Sequence, residues 1–176
     1  RKVLATEISG AMRFAGIKVY GRADRIDHLA DGTLAVVDYK TGSPPSAAQV
    51  EAGYALQLGL LGLIAGQSGF EQEGRSIGGE AAQFEYWSLA KRAGEFGYRD
   101  EPFKTGSKKT GLLPEEFLPH HAAKLTLAIE RYIAGSAPFM AKENPDYPGY
   151  SDYDQLMRLE EWAIRLAASS DKEPGA

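Results

Sequence analysis

The segment Ala30-Asp31-Gly32 constrains the fold of this chain more than any other, because strand-like sequence lies on both sides of it. Residues 16–29 and 33–40 each have the pattern of a β-strand, and residues 3–15 alternate apolar and polar side chains well enough for another. We predict a three-residue turn with Gly32 in the left-handed conformation. The chain therefore opens with an antiparallel meander.

The register of this hairpin decides which side chains share a face. If Leu29 pairs with Thr33, counting outward along the two strands puts Asp24 directly opposite Asp38. Period-two alternation then adds Lys40 to the same face. A two-residue turn would instead put the two aspartates on opposite faces.

Two carboxylates held together in a partly buried site repel each other unless a cation joins them. Oxygen ligands from Asp24, Asp38 and the backbone carbonyl of Tyr39 suit Mg²⁺ or Mn²⁺. Such an ion lowers the pKa of a bound water and neutralises charge on a phosphoryl oxygen, and Lys40 can orient that water or steady that charge. These residues predict hydrolysis of a phosphodiester. The alternative is that Asp38 and Lys40 form the polar end of a strand and that Asp24-Arg25-Ile26-Asp27 is a surface ladder of ion pairs.

The rest of the chain predicts an α/β domain in which helices flank a mixed, mostly antiparallel sheet. We expect one domain over residues 1–168, cut from a larger protein, and a disordered tail over 169–176. The predicted elements are a mostly buried helix at 47–65, a polar loop at 66–80, a strand at 82–89, a mobile basic loop at 91–113, and helices at 114–134 and 153–168.

Composition excludes several classes of protein. The chain has 176 residues and no cysteine, so disulfides, cysteine-bound zinc and cysteine-bound iron–sulfur clusters are ruled out. It contains neither a long apolar run nor a secretory signal, from which we expect a cytoplasmic protein. A net charge of −4 argues against binding nucleic acid by bulk electrostatics alone. A metal ion, a local basic loop or a larger partner would have to help.

Other candidate residues have competing interpretations. Glu7 could approach the aspartates, but a solvated or arginine-paired glutamate is favoured. The pair His120-His121 could ligate a metal, but neighbouring helical residues point about 100 degrees apart and rarely bind one ion together, so helix capping or exposure is favoured. Lys104, Lys108 and Lys109 in the basic loop could contact phosphates or simply be solvated. The aromatic residues Trp87, Tyr153 and Trp162 are predicted to be core residues rather than stacking platforms.

The assembled pattern resembles a known family. It consists of Gly21-Arg-Ala-Asp-Arg-Ile-Asp27, then Val37-Asp-Tyr-Lys-Thr-Gly42, then Tyr54-x-x-Gln57-Leu58 on a predicted helix. This set is similar to the RecB-type branch of the PD-(D/E)XK nucleases. The resemblance implies a restriction-endonuclease-like core, a metal-binding and catalytic role for Asp24, Asp38 and Lys40, and a place for Gln57, with Tyr54 nearby, close to DNA or water.

A second resemblance lies at the end of the chain. Tyr150-x-x-Tyr-Asp-Gln-Leu-Met-Arg-Leu-Glu-Glu-Trp162 is similar to the C-terminal segment of AddB, a subunit of the AddAB helicase-nuclease. This resemblance implies a deoxyribonuclease, of exonuclease type, in recombinational repair of double-strand breaks. It would act on a single strand or an unwound duplex end delivered by an AddA-like helicase-nuclease subunit.

The family's pattern is not matched throughout. Many AddB-type domains carry four cysteines around an iron–sulfur cluster, so a chain without cysteine would be a cluster-free variant. Two alternatives stay open. One is a non-catalytic nuclease-fold scaffold or DNA-end clamp, and the other is a freestanding RecB-like exonuclease, such as a phage or CRISPR-associated one.

Overall fold

The computed structural model describes residues 1–104 and 110–139. The chain divides into the units Arg1–Gly135 and Ser136–Ala176, and the fold below is that of the first. Its strands are β1 Lys2–Phe14, β2 Ile17–His28, β3 Leu34–Lys40, β4 Phe70–Gln72, β5 Arg75–Ile77, β6 Ala81–Arg92 and β7 Glu95–Asp100. Its helices are α1 Ala47–Ala52, α2 Gln57–Gly66 and α3 Pro114–Ala128, which continues into a π-helical turn at Ile129–Ile133.

The strands form one mixed sheet in the order β5-β4-β1-β2-β3-β6-β7. β3 and β6 run parallel, whereas the other neighbouring strands are antiparallel. Helix α2 packs across β1, β2, β3 and β6, and α3 packs on α2. This is the predicted α/β architecture, which opens with an antiparallel meander and has helices against the sheet. The helix predicted at 153–168 lies outside the described residues.

The turn between β2 and β3 has the predicted geometry. Gly32 is left-handed with φ of 89°, and the backbone N–H of Leu29 donates to the carbonyl of Thr33 at 2.9 Å. The ladder then pairs His28 with Leu34 and continues to Arg25 with Val37. The register is the one that points Asp24 toward Asp38.

Two segments predicted as loops contain strands instead, and these predictions were wrong. The segment at 66–80 holds the β4–β5 hairpin, which adds to the sheet beside β1 through Phe70, a fully buried residue. The segment at 91–113 holds β7, which pairs with β6. Both turns use a non-glycine residue at positive φ before a glycine, Glu73-Gly74 and Ala93-Gly94. Neither pair is the Asn-Gly or Asp-Gly signal by which such hairpins are recognised in sequence.

The helix predicted at 47–65 is also wrong as a single helix, because it breaks between α1 and α2. Gly53 adopts φ of 90° and ends α1 in the left-handed conformation, and the N–H of Tyr54 donates to the carbonyl of Gln49. The side chain of Lys124 donates to the carbonyl of Ala52 at 3.4 Å. The apolar stripe runs through the break, so periodicity alone does not reveal it.

The packing of α2 on α3 depends on a histidine that we expected at the surface. His121 is fully buried, with Nδ1 2.7 Å from the carbonyl oxygen of Phe117 and Nε2 3.5 Å from that of Ala55. Burial lowers its pKa, so the ring is neutral near pH 7. The prediction was wrong because it considered only the geometry of α3 and not the packing of α2 against it.

Substituting Gly59 with alanine should destabilise the protein, because a Cβ atom there would overlap the ring of His121. Overpacking of this kind costs about 1–3 kcal/mol, measurable by urea unfolding. The matched control is Gly66→Ala in the same helix, where nothing lies within 4 Å of the new methyl group. That variant should unfold at the same or a higher urea concentration than the parent. Equal stability of the two variants would contradict the predicted overlap.

No described helix is long and apolar enough to cross a membrane.

Candidate active site

Asp38 occupies the end of β3, in the middle of the sheet, and only 2% of its side chain is exposed. It lies directly across from Tyr86 of β6, which is itself buried. Burial raises the pKa of Asp38, and the negative charge of Asp24 raises it further, whereas Lys40 and Gln57 lower it. The net shift is upward, so the site holds a carboxylate whose charge the fold does not fully compensate.

Lys40 and Gln57 meet Asp38 on the helix side of the sheet. Nζ of Lys40 lies 2.7 Å from Oδ2 of Asp38 and donates to Oε1 of Gln57 at 3.1 Å. The ammonium group approaches Asp38 without hydrogen-bond alignment, and Oδ2 accepts no hydrogen bond from any described residue. Gln57 is the first residue of α2, so the break after α1 brings this amide to Lys40.

Asp24 reaches the same end of β3 through its side chain. Its Oδ2 accepts a hydrogen bond of 2.8 Å from the backbone N–H of Tyr39, and the β2–β3 ladder ends one residue earlier. Opposite Asp24, β1 is irregular at Glu7, whose φ is 52°. The alternation of β2 is also broken here, because Ala23 and Ile26 are both buried, although their spacing in a regular strand would put them on opposite faces.

The other face of the sheet carries structural ion pairs rather than the site. Asp27 is fully buried and paired with Arg25 at 2.8 Å and with Arg1. Burial alone would raise the pKa of Asp27, but the two guanidinium groups bring it below its usual range. Arg25 and Asp27 are therefore structural partners on this face. Tyr39 also points to this side, where its ring meets Trp87 edge-on.

Trp87 is not the core residue that we predicted. It is only partly buried, and the guanidinium group of Arg99 lies 4.4 Å from its ring centre, with Arg25 at 4.7 Å. Its indole N–H donates to Glu85 at 2.6 Å. The apolar run of β6 predicted a core position, but this face of the strand packs against charged side chains.

The remaining predicted residues lie in several places on the chain. Lys104 is exposed, and Lys108 and Lys109 lie outside the described residues. Tyr54 is about half exposed beside the α1–α2 break. Glu7 pairs with Arg22 at 2.9 Å, as the arginine-paired interpretation expected. The binding role of Tyr54 and the three lysines stays a prediction.

Sequence reasoning missed two residues of β6 beside the site. Tyr86 lies across from Asp38, and its ring centre is 5.8 Å from Nζ of Lys40. Ser88 lies across from Lys40 and donates from its hydroxyl to the carbonyl of Gly42 at 2.8 Å. Alternation along residues 82–89 puts both side chains on one face, but the sequence does not show that β6 lies next to β3.

The raised pKa of Asp38 predicts a stability effect opposite in sign to that of a paired carboxylate. When the folded-state pKa of a carboxyl group lies above its unfolded value, ionisation lowers the free energy of unfolding. For Asp38 this loss is absent below about pH 3.8 and complete above the folded pKa. Asp38→Asn should therefore unfold at a higher urea concentration than the parent at pH 8, in a chelating buffer. The difference should shrink toward pH 3.5, and a less stable variant at pH 8 would contradict the prediction.

The comparison with protein families agrees with this fold. Residues 1–168 match the model of the PD-(D/E)XK nuclease superfamily, and the chain belongs to that superfamily. No curated protein sequence matches the chain. Among solved structures it is similar to the crystal structure of SSO0001, with 15% identity over 70% of this chain and a TM-score of 0.33. The matched part spans 50% of the SSO0001 chain.

The residues present are chemically suited to the divalent metal that nucleases of this superfamily typically use. Among the described residues no group of three or more histidine, cysteine, aspartate or glutamate side chains could hold a metal. The candidate ligands are the carboxylates of Asp24 and Asp38, whose negative charges interact. Two carboxylates completed by water and substrate phosphate are the ligand set that Mg²⁺ takes in phosphoryl-transfer sites. Oδ2 of Asp38 is buried and accepts no aligned hydrogen bond from the described residues, and the cation beside it is the ammonium group of Lys40 at 2.7 Å.

Proposed function

We propose that this domain hydrolyses phosphodiester bonds of DNA with Mg²⁺ or Mn²⁺. One observation carries the proposal, namely that Asp38 keeps a buried carboxylate, with its pKa raised, beside Lys40 and Asp24. Because its pKa is raised, the ionised carboxylate lowers stability near neutral pH. Groups whose shifted pKa values lower the stability of the fold are characteristic of functional sites. Membership of the nuclease superfamily supports the same reaction.

Each residue has a definite task in this proposal. Asp24 and Asp38 would hold the ion, with the Tyr39 carbonyl as a further ligand, and the ion would supply a Lewis acid that activates water and neutralises phosphate charge. Lys40 would steady the negative charge that grows on the phosphoryl oxygens. Gln57 accepts from Lys40 at 3.1 Å and so would keep the ammonium group aimed at the phosphate.

We further propose the biological setting that the sequence resemblance implies. The motif from Gly21 to Leu58 and the segment 150–162 support an AddB-like nuclease, of exonuclease type, in recombinational double-strand break repair. An AddA-like helicase subunit would deliver the strand. A partner of this kind would account for DNA supply to a chain of net charge −4.

The test is cleavage of end-labelled single-stranded DNA by the purified chain with Mg²⁺, Mn²⁺ or excess EDTA. We expect cleavage that requires metal and is lost in Asp38→Ala and Lys40→Ala. Manganese binding should be measured on the same samples by its paramagnetic resonance. Cleavage that survives in EDTA would reject metal-dependent hydrolysis. If neither cleavage nor manganese binding is found, the domain is a nuclease-fold scaffold.

A further inference from the structure

The hairpin of β1 and β2 extends past the end of β3 and carries an unusual distribution of charge. Its tip is a two-residue turn, Ala15-Gly16, with both residues at positive φ. Between Glu7 and Asp24 the chain has the three basic residues Arg13, Lys18 and Arg22, and no acidic residue. This segment is strongly positive within a chain of net charge −4.

One face of this hairpin is packed and the other is open. Gly10 and Gly21 pair with each other on the packed face, where Phe70 and Leu61 leave no room for a side chain. Met12 is buried on the same face. The opposite face therefore carries the alternate residues of β2, and these are exposed: Lys18, Tyr20 and Arg22.

The open face combines cations with an exposed ring. Tyr20 is 71% exposed, and Nζ of Lys18 lies 4.8 Å from the centre of its ring. Arg13 pairs directly opposite Lys18, so two like charges face each other across the ladder. Such a pair is destabilising on its own. No described acidic residue forms an ion pair with either of them, so the repulsion is not relieved within the described residues.

We propose that this face, which consists of Arg13, Lys18, Tyr20 and Arg22, binds single-stranded nucleic acid. A polyanion relieves the repulsion between Arg13 and Lys18, and the open ring of Tyr20 offers a base a stacking surface. Aromatic rings between cationic side chains are the usual means of holding single strands without sequence preference.

Arg22 lies two positions before Asp24 on the same strand, about 7 Å away at the rise of a β-strand. The face points away from α2, whereas Asp38, Lys40 and Gln57 meet on the α2 side of the sheet. This inference rests on the proposed nuclease function, because it names a second surface for the same substrate.

The test uses fluorescence anisotropy to measure binding of a fluorescein-labelled oligothymidylate to the full chain carrying Asp38→Asn. The measurement is made at low salt in EDTA. We expect Tyr20→Ala to weaken binding about tenfold. Lys18→Ala and Arg13→Ala should each weaken binding and reduce the dependence of log Kd on log salt by about 0.7. Circular dichroism should show that the variants remain folded.

Two matched controls locate the effect. Phe96→Ala removes a ring that is also 71% exposed and lies opposite Lys91 on the β6–β7 hairpin. Arg75→Ala removes an exposed cation on β5. Both should bind the oligonucleotide within about twofold of the parent. If Phe96→Ala weakens binding as much as Tyr20→Ala, or if the parent chain does not bind at all, the proposed face is wrong.

The results separate this inference from the proposed function. Binding that depends on Tyr20 without metal-dependent cleavage would support the binding face and reject hydrolysis. Cleavage by Tyr20→Ala and Lys18→Ala with unchanged KM would leave the nuclease in place and reject the binding face. In that second case a protein partner would be the better occupant of this surface.

Discussion

Replacing Asp38 with asparagine should lower the rate of metal-dependent cleavage of single-stranded DNA by about a thousandfold or more. The substitution keeps the size of the side chain but removes the charge that would bind the ion, at a position where only 2% of the side chain is exposed. Lys40→Met should lower kcat by about a hundredfold or more, because it removes the cation opposite the developing phosphate charge. Single-turnover cleavage with saturating Mn²⁺ measures both effects.

The matched control is Asp27→Asn, which alters an equally buried aspartate of the same hairpin. Asp27 lies on the other face, where Arg25 and Arg1 pair with it. Removing its charge leaves guanidinium groups without their partner and should lower stability, while kcat of the folded protein stays within about twofold. The prediction for Asp38 fails if Asp38→Asn retains more than a tenth of the parent rate, or if Asp27→Asn loses activity as severely.

Replacing Phe117 with alanine should lower the free energy of unfolding by about 3–5 kcal/mol. Its ring is 1% exposed and lies 4.6 Å from that of Phe84, 5.1 Å from that of Phe103 and 4.2 Å from that of His121, measured between ring centres. This aromatic cluster joins α3 to α2 and the sheet. Its loss leaves a cavity that surrounding rings cannot fill. Urea unfolding monitored by circular dichroism measures the change.

Leu127→Ala in the same helix is the control for Phe117→Ala. Leu127 is 52% exposed, so its truncation should change stability by no more than about 0.5 kcal/mol. A loss below about 1 kcal/mol in Phe117→Ala would mean that the cluster does not stabilise the fold as its burial indicates. Partial loss of cleavage is also expected in this variant, because His121 contacts Ala55 just before Gln57.

The hairpin of β2 and β3 could be predicted because its turn and its register depend on neighbouring residues. Gly32 supplies the left-handed turn, and the turn sets the register that carries Asp24 toward Asp38. Strand alternation then puts the side chains of Lys40 and Tyr39 on opposite faces of the sheet. Each of these steps uses only neighbouring residues and the geometry of a β-strand.

Errors arose where distant segments decide the structure. The apolar stripe of 47–65 predicted a continuous helix, but Gly53 breaks it where Lys124 of α3 binds the carbonyl of Ala52. β4 and β7 are short or polar strands that form because a sheet edge is available to pair with them. A search for strands in the sequence alone cannot recognise such an edge.

The sequence by itself determined the class of fold, the opening meander and the register that points two aspartates toward one another, because turn chemistry and strand alternation act over a few residues. Only the tertiary structure decided that Gln57 meets Lys40, that Tyr86 lies beside Asp38, and that His121 is buried. Each of these contacts joins segments far apart in the chain, and it depends on how helices and parallel strands pack rather than on local preference.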